Sequence, residues 1–308
     1  MKYFIITVDT EGDNLWTYKP GDRITTKNAS YIPRFQHLCK KFAFKPVYLT
    51  NFEMANDDTF VQYAKEWAQN DECEIGIHLH AWNNPPLYPI YGPYHGNPYL
   101  IEYKDDEMRA KFDLLYNLIY DKFGFFPVSH RAGRWAMDMR YFKILKEYNV
   151  LIDCSHTPYI NWENSLGVSV GGSDYRNATI TPSFINGVFE IPMSVRIMHI
   201  IPNRSIRAKI KDLLWGSPVW LRPASQSVEQ MISLCNKINK ENSTDYLEMM
   251  VHSSELMPNG SPYFKTEDDI ELLYEKLEKI FLHLTKIGYK GITLKNYYKK
   301  SANTYAKQ

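Results

Sequence analysis

Two histidines one residue apart, His78 and His80, end an apolar run that begins at Glu74. Side chains at i and i+2 of a strand leave on the same side. This spacing can therefore bring two imidazoles to one point, as a metal site needs. Other ionisable residues also end hydrophobic runs: Asp9 with Glu11 close behind, Arg131, Asp153 and His252. Two histidines and a carboxylate form a ligand set for Zn2+ or a similar divalent ion, with positions left for water and substrate. Either Glu11 or Asp9 can supply that carboxylate. Such an ion acidifies a bound water and polarises a carbonyl. A second carboxylate can take the water's proton, Arg131 can hold that carboxylate ionised, and His252 can protonate a leaving amine. Each residue also has a plainer reading: solvated histidines at a strand end, a strand-end cap for Asp9 and Glu11, a structural ion pair for Arg131, loop ordering for Asp153.

The elements that must position these groups alternate along the chain. Residues 3–9 form a continuous apolar run ending on an acid, which predicts a strand buried on both faces. Further strands are expected at 45–50, 74–80, 128–131, 150–153, 188–193 (with Glu190 inside) and 247–252, with a last one at 291–294. Helices are expected at 30–42 (with Ser30 as N-cap and Pro33 in the first turn), 57–69, 104–123, 137–148, 225–241 and 265–289. Strand–helix alternation of this kind argues for parallel βα units. About seven of them in one 308-residue domain predict an α/β fold closed as a (β/α) barrel, with chemistry at the C-terminal strand ends. Asp9, His78, Arg131, Asp153 and His252 fall at those ends.

Residues 83–99 interrupt the rhythm with five prolines and four tyrosines. A loop this long and this stiff predicts a binding lip. Trp82, Tyr91, Tyr94, Arg134 and Asp153 are the candidate substrate contacts. A high aromatic content, 15%, suits a protein that presents flat rings to sugars. The net charge of +1 gives no global field for a nucleic-acid partner. Four scattered cysteines make neither a Cys-x-x-Cys pair nor a disulfide framework, and Cys154 reads as an inert buried thiol. No run reaches transmembrane length and no leader pattern opens the chain, so a soluble cytoplasmic protein is expected. Ile206, Ile210, Leu213 and Leu214 share one helix face near Arg207, Lys209 and Lys211. That face is either packed or peripheral at the inner side of a membrane, near a lipid-linked sugar.

In order along the chain, these motifs resemble those of the polysaccharide deacetylases of the NodB-homology superfamily, from Tyr3 to Leu294. The run Thr7 to Gly12 resembles the first motif, which implies Asp9 as base and Glu11 as metal ligand. Ile77 to His80 resembles the metal-binding histidine motif. The segment His130 to Arg134 resembles the third motif, whose arginine (Arg131 here) braces the base. Asp153 to Ser155 is similar to the Asp-Ser-Ser stretch that follows it. Met250 to His252 resembles the motif of the general acid, His252 here. Within the superfamily the chain looks closest to a branch typified by WbmS and WalW, found with surface-polysaccharide genes. The resemblance implies an incomplete or distorted barrel. It implies a divalent ion (zinc foremost; cobalt, nickel or manganese as alternatives) and N-deacetylation of a saccharide or saccharide precursor. It departs from the family at three places. The histidines stand two apart rather than four, with Trp82 at the usual second position, which leaves His80 or His95 to complete the site. The acids of the first motif are not adjacent. The usual proline of the third motif is missing. The rival readings are a metal-free glycosidase using two of Asp9, Glu11 and Glu255, and a saccharide-binding relic without turnover.

Overall fold

The computed structural model describes residues 1–19, 21–199 and 216–306. The basic amphipathic stretch at 206–214 lies outside the described residues. The strands are β1 Lys2–Thr10, β2 Pro46–Thr50, β3 Glu74–Leu79, β4 Ser129–Ala132, β5 Ile152–Asp153, β6 Ser183–Ile185, β7 Val188–Glu190, β8 Val195–Met198, β9 Ser217–Trp220, β10 Tyr246–His252 and β11 Tyr289–Gly291. The main sheet runs β10-β1-β2-β3-β4-β5-β7-β6, with β11 on the start of β1. Its ladders are parallel from β10 to β7, and only the β6–β7 hairpin is antiparallel.

The sheet curls into a half-barrel, as the incomplete barrel of the motif resemblance implies, and among the described residues the closed barrel expected from alternation alone is not formed. The reason lies after β5. Residues 154–182 contain no helix, and the next strands fold back as a hairpin, so the parallel series ends there. The helices are α1 Ile32–Lys41, α2 Phe52–Ala55, α3 Asp58–Gln69, α4 Asp105–Phe123, α5 Met139–Glu147, α6 Val228–Glu241, α7 Glu267–Lys286 and α8 Leu294–Tyr305. Side-chain caps set several boundaries: Asp57 accepts from Phe60 N, and Ser227 and Thr266 form capping boxes with Gln230 and Asp269. Two local expectations are corrected. Ser30 bonds back to Lys27 O inside a 3-10 turn, and α1 begins beyond it. The last strand, expected at 291–294, is formed earlier, at Tyr289–Gly291 (β11), because Thr293 caps α8 and draws Leu294 into that helix. No helix among the described residues is long and apolar enough to cross a membrane.

Strand alternation decides what faces the barrel interior. Phe4, Ile6 and Val8 of β1 join the cluster under the helices, as do Ile75, Ile77 and Leu79 of β3 and Leu247, Met249 and Val251 of β10. Their neighbours therefore point the other way: Thr7 and Asp9, Gly76 and His78, Glu248 and His252. In register, Asp9 lies opposite His252 and His78 opposite Arg131. Gly76 is required by closeness, since a Cβ there would lie 2.5 Å from Ser129 Oγ.

Candidate active site

The interior groups meet at the C-terminal strand ends, on the floor of a cavity of about 370 Å³. Ligand atoms of Glu11, His78 and His80 lie within 4.8 Å of one another, all buried. His78 Nδ1 is 3.0 Å from the Arg131 carbonyl. A carbonyl can only accept, so Nδ1 carries a proton. Without an ion, burial would lower His78, but Asp9 and Glu11 outweigh it and raise the group toward the charged ring; an ion bound there would take the Nε2 lone pair in place of that second proton. That Nε2 is 3.6 Å from Glu11 Oε2, and His80 Nε2 is 3.3 Å from the same oxygen. Glu11 Oε2 is nevertheless a buried oxygen without a hydrogen bond, which is costly in a folded protein. A cation between these donors would satisfy it, so the donor set fits a divalent ion. Burial and the charges of His78 and His252 hold His80 well below its ordinary value, keeping it in the neutral form that binds metal.

Beneath the cluster sits Arg131, fully buried. Its guanidinium donates to Asp9 Oδ1 at 2.6 Å, Glu248 Oε1 at 2.6 Å, Thr7 Oγ1 at 2.7 Å and Cys154 O at 3.2 Å. Burial would raise Asp9, but Arg131, His78 and His252 outweigh it and bring the acid down to about 2. Glu248 is pushed the other way, up to about 7, because burial there exceeds the pull of Arg131. Asp9 Oδ2 remains toward the cavity, 3.9 Å from Nε2 of both His78 and His252.

His252 forms the opposite wall. Its Nδ1 receives a hydrogen bond from Arg222 Nη2 at 3.2 Å and lies 3.4 Å from Glu255 Oε1. Either protonation state of the ring thus has a partner: the neutral ring accepts from Arg222, the charged one pairs with Glu255. Burial alone would raise Glu255, yet Arg222 and His252 hold it at about 2. The Trp16 ring meets the His252 edge at 4.9 Å, and its indole N–H donates to Ser254 Oγ.

The other expected contacts divide. Trp82 lines the cavity and stacks on His80 at 4.2 Å. Arg134 also lines it, together with Asn97 from the proline-rich loop. Tyr91 is 86% exposed and Tyr94 39%, and neither lines the cavity. Asp153 is fully buried against His130 Nδ1 at 2.6 Å and Ser155 Oγ at 2.8 Å, on the helix side of the sheet. His95 is exposed and stands outside the metal-capable cluster. Cys154 is buried and free, and burial pushes its thiol far above the reactive range. Sequence reasoning missed Glu248, Trp16, Trp135, Trp162 and Arg222. For Glu248 a signal existed: an acid inside the apolar run of β10 has to find a cation. The tryptophans and Arg222 come from loops and a strand end with no periodic pattern.

No protein-family model matches the sequence, and no curated protein matches it. Solved structures do match the fold. One, from Mycobacterium smegmatis, is assigned as a polysaccharide deacetylase; it superposes with a TM-score of 0.57 at 14% identity, over 98% of this chain and 91% of its own. A GH57 branching enzyme from Thermococcus kodakaraensis gives 0.58 at 10% identity, over 97% and 71%. A 4-alpha-glucanotransferase from Thermococcus litoralis gives 0.55 at 13%, over 97% and 40%. At such identities the likeness is one of fold. The same curled α/β sheet occurs in proteins with different names and chemistries, so the activity has to be argued from the site.

Proposed function

We propose that the protein is a metal-dependent hydrolase of C–N amide bonds that removes an N-acetyl group from a saccharide or saccharide precursor. The observation that carries this reading is the convergence of Glu11, His78 and His80 beside an aspartate that Arg131 keeps ionised. A divalent ion held by the three donors would supply an acidified water and a polarised acyl carbonyl. Asp9 Oδ2 then takes the water's proton. Arg131 fixes the other carboxylate oxygen and so aims this one. His252 Nε2, 3.9 Å from Asp9 Oδ2, gives a proton to the leaving nitrogen, and Arg222 and Glu255 hold its ring through both charge states. Trp16, Trp82, Trp135 and Trp162 wall the cavity and suit the apolar faces of a sugar ring.

A glycosidase needs one carboxyl group that stays protonated. Asp9 and Glu255 are both held at about 2, and Glu255 does not line the cavity, which disfavours that reading. Zinc is the first candidate ion, with cobalt, nickel or manganese as alternatives. The wider setting we propose is surface-polysaccharide biosynthesis in the cytoplasm, as in the WbmS/WalW-like branch, on a substrate that is free or lipid-linked. The test is elemental analysis of protein purified without chelator, paired with acetate release from N-acetylated oligosaccharides. We expect one ion per chain, lost in His78→Ala together with acetate release. An ion-free wild type that still cleaves, or release of reducing sugar without acetate, would overturn the proposal.

A further inference from the structure

We infer that the substrate is an anionic saccharide whose carboxylate or phosphate oxyanion is held by Arg134. The inference takes from the proposed function only the location of the sugar. Two guanidinium groups line the cavity. Arg222 has Glu255 at 3.0 Å. Arg134 has no carboxylate partner among the described residues. It donates to Asn97 O, to Ser165 Oγ at 3.0 Å and to Leu166 O at 2.9 Å, and lies over the Tyr99 ring at 4.1 Å. These acceptors are neutral and engage three of its five N–H groups. The acid nearby, Glu102, is spent on backbone N–H groups, at 2.9 Å from Val168 and 3.2 Å from Val170. A half-buried cation without a counter-ion is unfavourable unless a ligand completes it.

The backbone supplies a second, independent observation. Arg134 (φ 54°) and Trp135 (φ 64°) are consecutive non-glycine residues in the left-handed region. Such strain persists only where the surroundings enforce it, and it gathers at functional sites. Here it turns the chain out of β4 directly beneath the metal cluster: a Cβ on Gly133 would lie 2.4 Å from His80 Cδ2. The result is a planar cation and a flat indole side by side on the cavity wall, the pair of groups that reads an oxyanion on a sugar ring. Tying two loops together does not by itself require a charge, since neutral donors reach carbonyls equally well.

The test is calorimetric binding of three probes to the metal-loaded protein: the methyl glycosides of N-acetylglucosaminuronic acid and of N-acetylglucosamine, and N-acetylglucosamine 1-phosphate. We expect the wild type to prefer one anionic probe over the neutral one by at least ~10-fold, and Arg134→Gln to shrink that preference to about twofold, the scale of a charge-assisted pair. A preference for the uronate puts the oxyanion on the ring, and a preference for the phosphate puts it at the anomeric position. Arg134→Lys should keep part of the preference. Tyr91→Ala, at an exposed position that does not line the cavity, should keep all of it. Equal affinity for the three probes in the wild type overturns the inference whatever the variants do, as does a full preference in Arg134→Gln. Because affinity and acetate release are measured separately, a protein that prefers the anion but releases no acetate would sink the deacetylase reading and leave this one standing.

Discussion

Replacing Arg131 by methionine removes the cation that joins three strands of the barrel floor. The side chain is fully buried and bonds Asp9 and Glu248 at 2.6 Å each. Methionine refills much of the volume, so the loss is mainly electrostatic. Breaking a buried ion pair costs about 3–5 kcal/mol, because the partner is left uncompensated. The net lowering of Asp9 from 3.8 to about 2, to which Arg131, His78 and His252 all contribute, corresponds to about 2 kcal/mol near neutrality. The pH dependence distinguishes this cause from a packing defect. In the wild type Asp9 titrates below its unfolded value, so its contribution is complete and flat between about pH 5 and pH 7. Without Arg131, both carboxyls rise relative to the wild type, although His78 and His252 still lower Asp9. The folded variant then binds more protons than the folded wild type, and its deficit grows as pH rises. In the wild type Glu248 already titrates at about 7; its stabilising share is full below the unfolded value and is lost as pH rises through 7, so the difference between the proteins is the quantity to read. We expect a deficit of about 4 kcal/mol near neutrality, shrinking toward pH 5. Urea unfolding of both ion-free proteins, followed by tryptophan fluorescence with m-values compared, measures it. A neutral-pH deficit below ~1 kcal/mol, or one indifferent to acidification, refutes the reasoning.

Three further perturbations address the site. Asp9→Asn should lose at least ~10²-fold in turnover, the scale of a positioned base, while metal and substrate still bind. Glu11→Gln should instead lose metal, with activity partly restored by excess Zn2+; the opposite pattern of metal contents would exchange the roles of the two acids. His252→Ala should retain metal and still cleave an activated phenyl ester while failing on amides, since an amine must be protonated to leave and a phenolate need not be; equal losses on both substrates would remove His252 as the acid. Trp82→Ala should raise KM for a saccharide by ~5-fold through lost ring contact, whereas Tyr91→Ala should leave it unchanged; a Tyr91 effect of the same size would mean that the proline-rich loop closes over the bound sugar.

The parts legible in the sequence are those that periodicity encodes. The apolar run of β1 and the i, i+2 spacing of His78 and His80 report strand and face together, because a strand has only two faces. The last strand is legible but its end is not, because a short apolar run does not mark where a strand gives way to a helix, and only the cap from Thr293 to Asn296 N places that boundary. Strand–helix alternation alone does not show the open sheet, since residues 154–182 have no pattern that distinguishes a missing helix from a long loop; the incomplete barrel is implied only by the motif resemblance. The left-handed pair Arg134–Trp135 carries no glycine to announce it.

Partner choice across strands lies deeper still. Asp9 and Arg131 are 122 residues apart, and nothing in either strand's own pattern says that one will face the other. Yet that pairing, more than the fold, bears on the chemistry. The same curled sheet occurs in a 4-alpha-glucanotransferase and in a protein assigned as a polysaccharide deacetylase, so a strand end offers only a place for an acid. Whether the acid serves as a proton donor or as a base depends on what stands behind it. A buried carboxyl without a cation rises and keeps its proton; one against a fully buried guanidinium, as Asp9 is against Arg131, falls to about 2 and cannot. Glu248 bonds the same guanidinium and yet titrates near 7, so proximity to Arg131 is not sufficient. Asp9 differs in also facing His78 and His252, whose charges lower it further. The low titration of Asp9 is thus set by four strands at once: β1 carries it, and β4, β3 and β10 supply Arg131, His78 and His252.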